Sequence, residues 1–105
     1  MSAAFLVTAA LTATALAQAT HTVTIKDFKF DPPDLTVHLG DTIEWKNADP
    51  YTHTATTTKD SANAAQFDSH DIKKNGAFRY VVKQKGTYNY FCVYHPNMKA
   101  KLTAK

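Results

Sequence analysis

The sequence has 105 residues, which is enough for one domain, and its 12 Lys and Arg against 9 Asp and Glu give a net charge of +3. Because the basic residues are scattered and form no run interleaved with aromatic residues, we expect no nucleic-acid partner. The single cysteine excludes an internal disulfide, so its thiol has to be buried or bound if the protein is exported.

The first predicted element is the uncharged apolar segment MSAAFLVTAALTATALAQAT. It predicts a signal peptide over residues 1–19, cleaved after Ala17 or Ala19 at a site of the A-x-A kind, although no Lys or Arg precedes the apolar run. The alternative is a retained membrane anchor, for which about 17 apolar residues lie at the lower limit. We therefore expect an exported protein, periplasmic or extracellular with the thylakoid lumen as a further alternative, whose soluble domain spans residues 20–105.

The segments that follow alternate apolar and polar residues with a period of two, which is typical of strands with one buried face. In chain order they are HTVTIK, LTVHL, TIEWKN, AFRYVVK and TYNYFC, and a last strand is predicted to start at Lys101. Turn signals such as DPPD, GD, NG and KG separate them. Residues 59–75 are the least strand-like and are predicted to hold a loop or a single helical turn. Short strands at this spacing predict an all-β sandwich or barrel.

The segment CVYHPNM contains the only cysteine, and its spacing is Cys92-x2-His95-x2-Met98. Cys92 ends the inward-facing stripe of the last alternating segment, and His95 and Met98 are predicted to follow in a loop that Pro96 stiffens. Copper prefers a trigonal site of two imidazoles and a thiolate with a weak axial methionine, whereas zinc more often recruits a second thiolate or a carboxylate. The segment therefore indicates a copper site that still needs a second histidine.

That second histidine has to come from an earlier part of the chain. His53 is the best candidate, because it follows the segment TIEWKN in a loop between two predicted strands. His21 lies near the processed terminus, His38 on the polar face of its strand and His70 in the irregular region. We expect each of these three to be an ordinary surface histidine.

The sequence resembles the cupredoxins, the small type 1 (blue) copper proteins, over two runs, FKFDPPDLTVHLGDTIEWKNADPYTHTATT and FDSHDIKKNGAFRYVVKQKGTYNYFCVYHPNMKAKLTAK. Within that family the likeness is to the plastocyanin, pseudoazurin and amicyanin group, and the short Cys-x2-His-x2-Met spacing is that of amicyanin-like members. The resemblance implies a cupredoxin-like Greek-key β-sandwich of about seven or eight strands. It also implies one copper ion per chain, with the ligands His53, Cys92, His95 and Met98, and it assigns to Asn47 the role of linking the two ligand loops.

The sequence departs from the family pattern at three places, none of which is a ligand position. Ala100 and His70 stand where glycine is usual, and the last strand, KLTAK, is short and less apolar than in the family.

The function that the resemblance implies is single-electron transfer by a soluble monomer whose redox partner proteins dock near His95. We expect no enzymatic activity. Copper oxidases bind further copper ions with additional histidines, usually in His-x-His pairs, and the sequence has no such pair. The alternative function is copper delivery or storage without electron transfer, for which Met-rich or His-rich tracts would be typical.

Overall fold

The computed structural model describes residues 18–59 and 65–105, and within these ranges it contains eight strands and no helix. In chain order the strands are β1 (Thr20–Lys26), β2 (Lys29–Asp31), β3 (Asp34–Val37), β4 (Thr42–Asn47), β5 (Thr56–Thr57), β6 (Ala77–Val81), β7 (Gly86–Cys92) and β8 (His95–Ala104). Residues 1–17 of the predicted signal peptide lie outside the described residues. Residues 60–64 of the predicted loop also lie outside them. Within the described ranges, no helix is long and apolar enough to cross a membrane.

The strands form two four-stranded sheets, ordered β2-β1-β4-β6 and β3-β8-β7-β5. The pairs β1–β4 and β3–β8 are parallel, and the other neighbours are antiparallel. The predicted all-β sandwich is therefore confirmed. The alternation of residues did not reveal β2 and β5, because strands of three and two residues are too short to show a period.

The core lies between the inner faces of the two sheets, where most of the predicted inward-facing residues are buried. Trp45 of β4 is fully buried, and its ring centroid lies 5.5 Å from that of Tyr90 on β7 and 5.0 Å from that of Phe67. Phe67 comes from the region that was predicted to be irregular, so the described residues of this region, 65–75, contribute to the core without forming a helix or a named strand. Aromatic rings in such tilted and edge-on arrangements stabilise a core beyond the burial of their surface.

Among the strand boundaries that differ from those predicted, two change which residues are buried or which lie in a strand. Leu39 was expected to face inward with Val37, but β3 ends at Val37 and Leu39 is 42% exposed. The chain turns there because the N–H of His38 donates to Asp41 and Gly40 adopts a left-handed φ of 88°. At the other end of the chain, β8 begins at His95 instead of Lys101, so the segment predicted to be a loop is mostly strand.

Candidate metal centre

Three side chains meet at one end of the sandwich, and their ligand atoms all lie within 4.8 Å of one another. They belong to His53, Cys92 and His95. The Nδ1 atoms of the two histidines each lie 3.7 Å from the Sγ of Cys92. His53 and Cys92 are fully buried and His95 is half-buried, so this cluster reaches the surface only through His95.

Strand pairing explains why Cys92 and His95 meet. β7 ends at Cys92, the chain turns at Val93 and Tyr94, and β8 begins at His95, which pairs with Cys92. Residues directly opposite each other on antiparallel strands point to the same face with their Cβ atoms about 5 Å apart. A spacing of two residues between ligands therefore corresponds to a two-residue turn between the strands that carry them.

Met98 lies further along β8 and is buried, at 5% exposure. It continues the inward-facing stripe of Leu102 and Ala104, in step with the alternation of the strand. The pairing of β7 with β8 is irregular between Phe91 and Cys92, so His95 does not follow that alternation. His95 and Met98 line the same surface hollow.

His53 is held by its backbone and by its second ring nitrogen. Its N–H and C=O pair with Ile72, at 3.1 and 2.7 Å, and its Nε2 donates to Oδ2 of Asp49 at 2.8 Å. A proton on Nε2 leaves the lone pair of Nδ1 directed at the cluster, which is the usual arrangement of a metal-binding histidine. Burial raises the pKa of Asp49, but hydrogen bonds from the N–H groups of Phe28 and Asp27 and from His53 outweigh it, so the pKa is lowered and the carboxylate is ionised.

Thr54 links the two segments that carry the cluster. Its N–H donates to the Sγ of Cys92 at 3.4 Å, and its hydroxyl accepts the N–H of Val93 at 3.0 Å. The resemblance had assigned this link to Asn47, and that assignment is wrong. The side-chain amide of Asn47 donates to the carbonyls of Tyr51 and Ile72, at 2.7 and 2.8 Å, so it orders the segment before His53 and does not reach residues 92–98.

Exposed aromatic side chains surround the half-buried His95. The ring of Phe28 lies edge-on to both imidazoles, with centroid distances of 4.8 Å to His95 and 5.5 Å to His53, and it packs on Tyr51 at 5.2 Å. Tyr94 is also exposed, and its hydroxyl donates to Asp71 at 2.5 Å, which raises the pKa of Tyr94. The surface around His95 is therefore apolar and aromatic.

The donors in the cluster fit copper. They are one thiol sulfur and two imidazole nitrogens, with a buried thioether nearby, and sulfur with imidazole is the set that copper prefers. Among residues 18–59 and 65–105, no other group of three or more His, Cys, Asp or Glu side chains is close enough to hold a metal. His21 instead bonds Asp41 at 2.9 Å, and the side chains of His38 and His70 are 78% and 86% exposed.

Sequence reasoning missed three residues of this region, namely Phe28, Asp49 and Thr54. Thr54 follows His53 directly, and Asp49 precedes it by four residues, but neither spacing distinguishes a partner of the site from an ordinary loop residue. Phe28 lies in the connection between β1 and β2, and only the fold brings that connection to the cluster.

Comparisons with known proteins show which family the chain resembles. A model of the cupredoxin-like domain family matches residues 1–104. Amicyanin of Paracoccus denitrificans is 30% identical over 83 residues, which cover 79% of this chain but less than two thirds, 63%, of that protein. Amicyanin-alpha of Methylorubrum extorquens is 30% identical over 109 residues, which cover 98% of this chain and 92% of that protein. Among solved structures, the Cu(I) form of an amicyanin variant is 28% identical over 87% of each chain, with a TM-score of 0.76.

Proposed function

The chain belongs to the cupredoxin-like domain family, and on that basis we propose that it is an exported carrier of single electrons between redox partner proteins. Its cofactor is one copper ion, to which the cluster of one thiol and two imidazoles is suited. The observation that carries the proposal is the position of the two Nδ1 atoms, each 3.7 Å from the thiol sulfur inside a β-sandwich.

We propose that His53, Cys92 and His95 would hold the ion as its three strong donors and that Met98 would add a weak thioether donor. When bound, copper supplies a one-electron couple between Cu(I) and Cu(II). The protein supplies a fixed set of donors, because Cys92 and His95 belong to paired strands and His53 is bonded through its backbone to Ile72. Side chains held in this way move little when the charge at the site changes, which favours rapid electron transfer.

The surface at His95 supports docking of a partner there. His95 is half-buried, and the exposed rings of Phe28 and Tyr94 lie beside it, so an apolar surface surrounds the ligand that reaches furthest outward. A partner that covers this surface would exclude water and approach the imidazole closely. The predicted signal peptide over residues 1–19 supports the proposed export.

The test is a titration of the purified protein with Cu(II), followed by visible absorption and voltammetry. We expect one Cu(II) per chain, an intense blue or green colour from thiolate-to-copper charge transfer and a reversible one-electron wave. In the control, Cys92→Ser should stay colourless while its circular dichroism remains that of a β protein. A colourless wild-type complex would contradict the site, and copper that leaves for a competing chelator at each reduction would indicate delivery or storage instead.

A further inference from the structure

The carboxylate of Asp49 accepts three hydrogen bonds, although it is almost fully buried. Its Oδ1 accepts the N–H of Asp27 at 2.7 Å, and its Oδ2 accepts the N–H of Phe28 at 3.0 Å and the Nε2 proton of His53 at 2.8 Å. One anionic side chain thus joins a ligand of the metal centre to the turn between β1 and β2. Hydrogen bonds to an ionised acceptor are stronger than those between neutral groups.

The turn that Asp49 holds has an unusual backbone. Asp27 and Phe28 are the two central residues of a tight hairpin closed by the pair Lys26 and Lys29, and both adopt left-handed φ angles, of 53° and 58°. Such hairpins usually contain Asn-Gly, because residues with a Cβ rarely adopt this conformation. A bulky aromatic residue persists there only if the surrounding structure imposes it, and such positions concentrate at functional sites.

This strained turn places Phe28 against the metal centre. Its ring lies edge-on to His95 at 4.8 Å and to His53 at 5.5 Å, with interplanar angles of 75° and 87°. The two N–H groups of this turn, from Asp27 and Phe28, both donate to the carboxylate of Asp49, which also accepts the Nε2 proton of His53. The position of the ring above the imidazoles and the orientation of one imidazole therefore depend on the same side chain.

We propose that Asp49 is a positioning residue of the copper site, which fixes the tautomer and orientation of His53 and, through the turn at Asp27 and Phe28, holds the phenyl ring over both imidazoles. The inference rests on the proposed function and deepens it, because it names a residue that sets the properties of the same site. A carboxylate bonded to a ligand histidine makes the imidazole a stronger donor and brings negative charge near the metal. Both effects favour Cu(II) over Cu(I).

The test is Asp49→Asn, which removes the charge and puts an amide among three N–H donors. Loss of such an outer carboxylate typically lowers metal affinity about 10-fold to 100-fold, so we expect Cu(II) affinity to fall by that factor. If Cu(I) affinity is unchanged, each tenfold loss raises the reduction potential by about 59 mV. The position of the charge-transfer band should shift as well, because the imidazole is reoriented.

The protein contains a closely matched control in Asp41, at the opposite end of β4. Its carboxylate also accepts two backbone N–H groups, from Ala19 and His38, and the Nε2 proton of a histidine, His21. Asp41→Asn should therefore disturb the fold in a similar way while leaving the absorption spectrum and the potential at their wild-type values. Equal spectra and potentials in wild type and Asp49→Asn would overturn the proposal, as would equal shifts in the two variants.

A measurement on the copper-free wild-type protein tests the proposal without the metal, and its outcome does not depend on the folding of any variant. Nuclear magnetic resonance should show His53 protonated on Nε2, with slow exchange of that proton, and a contact between the rings of Phe28 and His95. Phe28→Ala should keep the signal of the His53 Nε2 proton. Asp49→Asn should lose that signal and also the contact between the rings of Phe28 and His95. A proton on Nδ1 in the wild type would overturn the proposal, and this result is independent of whether the loaded protein shows a reversible wave.

Discussion

The N–H of Thr54 donates to the Sγ of Cys92 at 3.4 Å, across 38 residues of sequence. The hydroxyl of the same residue accepts the N–H of Val93, so Thr54 makes two hydrogen bonds to the segment that carries the other proposed ligands. An N–H directed at the sulfur stabilises a thiolate, and the second bond keeps the two segments in register. The segment around His53 and the segment from Cys92 to Met98 therefore behave as one unit.

The first prediction concerns the hydroxyl of Thr54. Thr54→Val removes the acceptor of the Val93 N–H and leaves that donor without a protein partner, which should lower the free energy of unfolding by about 1–3 kcal/mol. Thr54→Ser keeps the hydroxyl and serves as the control. Urea unfolding of the copper-free proteins measures both. If the valine variant is no less stable than the serine variant, the hydroxyl does not link the two segments.

The second prediction is that His53 is needed for the copper colour, whereas His21, His38 and His70 are not. His53→Ala should abolish the charge-transfer colour, because it removes one of the two nitrogens that face Sγ. The single variants His21→Ala, His38→Ala and His70→Ala should bind Cu(II) with wild-type spectra, since none of these side chains belongs to the cluster. Absorption spectra of the four copper-loaded proteins decide the matter. A wild-type spectrum from His53→Ala would refute the ligand assignment.

The third prediction concerns Met98. A thioether is a soft, neutral donor that favours Cu(I), whereas an amide oxygen is harder and favours Cu(II). Met98→Gln should therefore retain copper and colour and lower the reduction potential, as measured by voltammetry. Leu102→Met, on the same inward-facing stripe of β8, is a control for packing changes and should leave the potential unchanged. An equal or higher potential in Met98→Gln would mean that Met98 is not the axial ligand.

The fourth prediction is a loss of stability in acid that depends on Asp41. Hydrogen bonds from the N–H of His38, the imidazole of His21 and the N–H of Ala19 hold the pKa of Asp41 well below its usual range. Since the carboxyl of an unfolded Asp titrates at about pH 3.9, the stabilisation is complete above that value and is lost as the pH falls below it. Asp41→Asn should therefore flatten the acid side of the stability profile. An acid profile of Asp41→Asn that runs parallel to that of the wild type would contradict the role of Asp41.

The fifth prediction is the position at which the predicted signal peptide would be cleaved. Ala19 makes two backbone interactions, since its N–H donates to Asp41 at 3.0 Å and its C=O accepts the N–H of Thr42 at 2.9 Å. Cleavage after Ala17 keeps both interactions, whereas cleavage after Ala19 removes both. We expect the exported chain to begin at Gln18, as mass spectrometry of the secreted protein would show. A chain that begins at Thr20 should be less stable by about 1–3 kcal/mol, the sum of two hydrogen bonds.

The parts of the fold that could be predicted from the sequence are those that local patterns encode. The alternation in TIEWKN and TYNYFC correctly placed Trp45, Tyr90 and Cys92 in the core, because the period of a strand fixes which side chains share a face. Leu39 follows the same alternation and yet is exposed. Its position is set by the hydrogen bond from His38 to Asp41 that ends the strand, and alternation carries no information about where a strand stops.

The same limit applies to the metal centre. The spacing between Cys92 and His95 is local and corresponds to one turn between two strands, so the sequence could reveal this pair. The contacts of Asp49 and Phe28 depend on how β1, β2 and the segment before His53 pack together, and no local pattern records them. Asn47 was expected to link the two ligand segments, yet its hydrogen bonds run to Tyr51 and Ile72, because similarity in sequence gives a residue's position without giving its partners.

The place of β8 has a consequence for the order in which the protein is completed during biosynthesis. All four strands of the first sheet precede Val82, so that sheet can pair while later residues are still emerging from the ribosome or the translocation pore. The second sheet cannot, because β8 follows the other seven strands of the described residues along the chain and lies between β3 and β7. Since β8 also carries His95 and Met98, a nascent chain has neither a finished second sheet nor a finished metal centre. Copper therefore meets either a chain that lacks two of its four proposed donors or one to which the ten-residue strand β8 has been added.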